Sequence, residues 1–109
     1  MSLEEMTFPQ HYIVGGVYVK ELILRSKGDQ VLGHSHNFDH LSLLAKGTVQ
    51  VSDGTHSVTY IAPTGVNIKA GHHHEITALT DDCLWYCIHA VPEGLRGEAL
   101  LDDVVVKRA

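Results

Sequence analysis

Three histidines, His34, His36 and His40, fall close together, and three more, His72, His73 and His74, stand in a row; the chain holds 9 histidines in 109 residues. On a strand, residues at i and i+2 point to one face. His34 and His36 would then project into the same space, roughly 6–7 Å apart at the backbone. That spacing suits two ligands of one ion. Asn37-Phe38-Asp39 reads as a turn, which would fold His40, at the start of the next strand, back toward the first two. A donor from residues 72–74 would close the set. Convergent imidazoles suit Fe, Mn, Zn, Cu or Ni. Calcium and magnesium ask for oxygen donors instead.

The frame around these residues resembles a known pattern. Gly28, five residues, His34-Ser35-His36, three residues, His40, six residues and Gly47 is similar to the first motif of the cupin superfamily. The departure is His40, where that family usually has glutamate. The second motif is looser. Lys69-Ala70-Gly71-His72-His73-His74 keeps a Gly-x-x-His spacing that puts the ligand at His74. Lys69 stands where proline is usual and Ala78 where asparagine is usual. His72 shares the strand parity of His74 and is the alternative; His73 has the opposite parity. The resemblance spans about residues 15–92, leaving 93–109 as a C-terminal tail.

It implies a double-stranded β-helix, the jelly-roll barrel of cupins, with a divalent transition metal ion in the barrel mouth. It implies the ligand set His34, His36, His40 and His74, and access for a small molecule from the open end. A site of four neutral ligands keeps the full charge of the ion. That would acidify bound water and favour an anionic ligand.

The elements that must position these residues read as strands. Val17 to Leu24 is rich in β-branched and aliphatic residues. Segments 31–36, 40–45, 48–51, 56–61, 66–68, 75–78 and 84–89 follow, punctuated by Lys27-Gly28-Asp29, Lys46-Gly47, Pro63-Thr64-Gly65 and Thr80-Asp81-Asp82. Asp53-Gly54 is a hairpin signal. No stretch before residue 95 keeps a 3.6-residue apolar period, which argues against crossover helices. The fold class is all-β, a jelly roll or small barrel in a single domain over 1–109. In the tail, Ala99-Leu100-Leu101 could be helical, whereas Val104-Val105-Val106 prefers strand.

Other residues have weaker frames. Tyr86 lies on a strand that lines the cavity in cupins, and is the candidate acid/base helper; core packing is its other reading. Trp85 has the opposite parity, so one of the two faces away from the barrel, at a possible subunit contact. Asp39 and Glu75 neighbour ligands in sequence, but adjacency on a strand turns them to the other face. Phe38 could gate the mouth. His11, His56 and His89 have no frame. Gly28, Gly47 and Gly71 suit turns that need positive φ.

Composition bounds the function. The net charge is −5 and the 8 basic residues are scattered, which argues against a nucleic-acid binder. No apolar run approaches the roughly 20 residues of a membrane helix. The acidic N-terminus lacks the charge pattern of a secretory signal. Cys83 and Cys87, four apart on a strand, would lie roughly 13 Å apart, too far for a disulfide. Buried thiols and a reducing cytoplasm are expected. The length leaves no room for an appended DNA-binding domain. Two functions stand: a metal-dependent enzyme, most plainly an Fe- or Mn-dependent dioxygenase acting on a small organic molecule, or a non-catalytic module that binds a small ligand around a structural or sensory metal. A homodimer is expected, with the strand near Val14 to Leu24 as the exposed edge that a second copy covers.

Overall fold

A computed structural model of the chain describes residues 6–7, 10–34, 40–69, 71, 73–90 and 106–109, with the backbone alone at 6–7, 32–34, 40 and 89. The described residues form strands and turns without helix. In chain order the strands are β1 (Met6–Thr7), β2 (Gln10–Val14), β3 (Val17–Leu24), β4 (Gln30–His34), β5 (His40–Lys46), β6 (Thr48–Ser52), β7 (Ser57–Ile61), β8 (Thr64–Ile68), β9 (His74–Ala78), β10 (Cys83–Ala90) and β11 (Val106–Lys107). No helix among the described residues is long and apolar enough to cross a membrane.

The strands make two antiparallel sheets. The first runs β1-β11-β4-β9-β6-β7 and the second β2-β3-β10-β5-β8. Alternation fixes which residues meet between them. On β3, Tyr18, Lys20, Leu22 and Leu24 are buried, while Val17, Val19, Glu21 and Ile23 face outward. Leu22, Leu24, Val31, Leu44, Val49, Ile76, Trp85 and Val106 form the apolar core.

The expected strands are present. Segment 17–24, however, is not an edge. β2 pairs along it, Val14 opposite Val17, so the edges of the second sheet are β2 and β8. The sequence signal for this hairpin is Gly15-Gly16, with Gly15 at φ 57°, in the two-residue loop such turns favour. The expected strand 31–36 is described as far as His34. Of the tail, Val106 and Lys107 form β11, and the helical reading at 99–101 lies outside the described residues.

Turn chemistry follows the glycines. Gly28, Gly47 and Gly71 all have positive φ, at 95°, 89° and 75°. At Gly47 space matters as well: a Cβ there would stand 2.5 Å from the Cys83 sulfur. The β6–β7 hairpin closes on Asp53, whose Oδ1 accepts from the backbone N–H of Thr55 at 2.8 Å and of His56 at 2.7 Å. The bond from His56, then that from Thr55, holds the Asp53 carboxyl below the usual range.

Candidate metal centre

His74 opens β9, and it is buried. The strand alternates, with His74, Ile76 and Ala78 inward and Glu75 outward. His74 therefore continues the core face of β9 to its end, with only 6% of its surface exposed. An imidazole placed so needs polar company.

The residue opposite it is His34. β4 pairs with β9, Val31 facing Ile76 and His34 facing His74. Between these two pairs β4 advances three residues and β9 two, so β4 carries a β-bulge. An unbroken ladder from Val31 would have set Gly33 opposite His74. The extra residue gives that position to His34. Bulges of this kind gather next to functional sites, where they re-aim the strand. Directly opposed residues on antiparallel strands have Cα atoms about 4.5–5.5 Å apart.

His40 arrives from the other sheet. It opens β5, paired with Ile68, the last residue of β8. Two connections cross between the sheets here: 35–39, from β4 to β5, and 69–73, from β8 to β9, which contains Gly71. One end of the barrel thus collects the end of β4, the start of β5, the end of β8 and the start of β9. A cleft of about 180 Å³ opens there, with His74, Ile68, Tyr60, Val51, Asn67 and Lys69 in its walls.

The fold thus brings the backbones of His34, His40 and His74 to one end. His36, His72, Phe38 and Asp39 lie outside the described residues. Among the described residues no three His, Cys, Asp or Glu side chains converge. The donors available here, a buried imidazole and histidines at the facing register positions, fit a borderline transition ion and not an oxygen-seeking one.

Tyr86 takes a different position from the cavity-lining one. On β10 the buried residues are Cys83, Trp85 and Cys87, so Trp85 points inward, with no exposed surface. Tyr86 is on the outer face, half-buried, and its hydroxyl donates to Glu21 Oε2 at 2.7 Å. A phenol committed there does not reach the barrel interior, which removes it from the acid/base role. Trp85, wholly inside one chain, is likewise no subunit contact. Glu75 is outward too, with an oxygen 3.9 Å from His73 Nε2. His56, at the exposed hairpin tip, stands 3.9 Å from Asp53. His11 shares a hydrogen bond between its Nδ1 and the Tyr18 hydroxyl.

Sequence reasoning missed a group of buried polar residues on the inner face of the second sheet: Tyr18, Lys20 and Ser42, all at most 3% exposed. Parity along β3 was the available signal. Tyr18 and Lys20 share the alternation of Leu22 and Leu24.

The sequence matches no protein-family model and no curated protein. Solved structures do resemble it. A cupin-2 domain protein of Shewanella frigidimarina superposes with a TM-score of 0.62 at 19% identity, over 75% of this chain and 78% of that one. A cupin superfamily protein of Desulfitobacterium hafniense gives a TM-score of 0.65 at 13% identity, over 78% and 77%. KdgF from a Halomonas species gives 0.65 at 16%, over 85% of each chain. At such identities the likeness establishes the fold, and the fold is that of the cupins.

Proposed function

We propose that this chain, a cupin by fold, is a metal-dependent enzyme acting on a small organic molecule, of the mononuclear Fe- or Mn-type dioxygenase class. One observation carries the reading: His74 is buried at the polar end of the barrel and a bulge in β4 sets His34 directly opposite it. His34, His40 and His74 would hold the ion, with His36 added by the His-x-His spacing. The bound ion would supply Lewis acidity and, as iron or manganese, a means of engaging dioxygen. The chain's own contribution is placement. His74 is held by the core face of β9. Ile68 and Val51 keep the cleft wall apolar, and Lys69 and Asn67 offer polar groups at its rim.

The net charge of −5 supports a small-molecule partner over nucleic acid. Cys83 and Cys87 are buried thiols outside any disulfide, which supports a reducing compartment, the cytoplasm.

The test is elemental analysis after metal stripping and separate reloading with Fe, Mn, Zn, Cu and Ni. Wild type is expected to take one equivalent, and His74→Ala and His36→Ala to lose it while keeping the β-sheet circular dichroism spectrum. Wild-type protein without stoichiometric metal would overturn the reading. A metal-loaded protein that consumes no dioxygen with any diketone or phenol offered would instead mark a ligand-binding module.

A further inference from the structure

The cleft at the histidine end has an apolar flank, built by the β6–β7 hairpin. Val51 stands opposite Val58 there, and Val49 opposite Tyr60. Val49 is buried, so alternation gives Val51, Val58 and Tyr60 the inner face. Val51 and Tyr60 pack against the core. Val58, on the same face, stays 51% exposed. All three line the cleft, together with Ile68 and the buried His74. An inner-face valine left half bare beside a cleft is apolar surface that a bound molecule would remove from water.

Two formal charges stand in the same walls, Asp53 and Lys69. Asp53 is engaged within its own turn. One carboxylate oxygen accepts from the Thr55 and His56 N–H groups, and the other stands 3.9 Å from the His56 ring. Lys69, just past the end of β8, is exposed and has no carboxylate partner among the described residues. The uncommitted charge of the cleft is therefore positive. Its volume of about 180 Å³ is near the roughly 150 Å³ in which an apolar cavity holds benzene. That size suits a single ring or a short branched chain.

We propose that this cleft takes a small monocarboxylate with an apolar body the size of one ring, and that Lys69 is the residue that selects it. The body lies along Val58 and Tyr60, and the carboxylate meets the Lys69 ammonium in a charge-assisted hydrogen bond. The inference rests on the reading of the histidine end as the ligand site.

The experiment measures binding of benzoate, benzamide and acetate by calorimetry on zinc-loaded and metal-free protein. Benzamide keeps the ring without the charge, and acetate the charge without the ring. Wild type is expected to prefer benzoate over benzamide by about tenfold, the effect of one charge-assisted hydrogen bond, and over acetate by about as much. Lys69→Met is expected to lose the preference over benzamide with zinc stoichiometry unchanged, and Lys69→Arg to keep it; an exposed position lets both variants fold. Val58→Trp fills the cleft and is expected to weaken benzoate about tenfold with the circular dichroism spectrum unchanged. Equal binding of benzoate by wild type and Lys69→Met overturns the proposal, as does a wild type that binds benzoate no tighter than benzamide or acetate. A preference that appears only with zinc and survives Lys69→Met assigns the carboxylate to the ion and overturns it too. The two readings fail separately. A protein that takes up no zinc yet loses its benzoate preference in Lys69→Met keeps the Lys69 assignment and sinks the metal centre. Normal zinc uptake with no effect of Lys69→Met does the reverse.

Discussion

Single side chains decide function here through the face they occupy. Tyr86 and Trp85 are adjacent, and their roles differ because β10 puts Trp85 inside and Tyr86 outside. The Tyr86 hydroxyl donates to Glu21. That bond first, and burial second, raise the phenol above its ordinary value. The bond needs the proton on the tyrosine oxygen. Its contribution to stability is therefore complete below the ordinary phenol pKa near 10 and is lost as pH rises through the higher folded value. Urea midpoints measured across alkaline pH should show that loss in wild type and a shallower one in Tyr86→Phe. The same variant should bind metal in full. A Tyr86→Phe protein with impaired metal or ligand binding would return Tyr86 to the site.

At the scale of elements, the site depends on how β4 and β9 are anchored, since they carry His34 and His74. Asp29 does much of this. Its side chain is 2% exposed; one carboxylate oxygen accepts from the Ser26 N–H at 3.1 Å and the other from the Ala109 N–H at 2.8 Å. Its backbone carbonyl accepts from the Ala78 N–H at 2.8 Å, at the far end of β9. Asp29→Ala should cost about 1–3 kcal/mol, as expected when two part-buried backbone N–H groups lose their acceptor, read from urea unfolding. Asp29→Asn should cost less, and an alanine variant as stable as wild type would remove Asp29 from this role. These joints also show what a sequence can and cannot tell. β3 and the Asp53-Gly54 hairpin were legible because alternation and turn chemistry are local. The His-x-His frame was legible for the same reason. The bulge in β4 was not, because a bulge is a mismatch between two strands and neither strand alone encodes it. Nor was the pairing of β11 with β4, which joins residues far apart in the chain. Lys20 was hidden by its type: a lysine in a strand reads as a solvent-facing residue unless its parity is checked against its neighbours.

For the molecule as a whole, the two outer faces differ. Across the first sheet the outward row reads Lys107, Gln30, Thr77, Gln50, Thr59, with Gln30 donating to Thr77 at 3.1 Å. That is a surface made for water. Across the second sheet the corresponding row reads Tyr12, Val19, Ile88, Leu41, Asn67. Val14 and Val17 extend it, at 77% and 46% exposed. Its one carboxylate among the central strands, Glu21, is engaged by Tyr86. A contiguous apolar face of this kind is the sort of surface through which chains associate. We propose that a second copy of the same face, related by a two-fold axis, covers it. Light scattering at micromolar concentration should therefore give twice the 12.0 kDa of one chain. Val17→Asp, on the apolar face, should reduce it to one chain, whereas Thr59→Asp on the polar face should leave it unchanged. A wild type that scatters as a single chain would rule out self-association through this face.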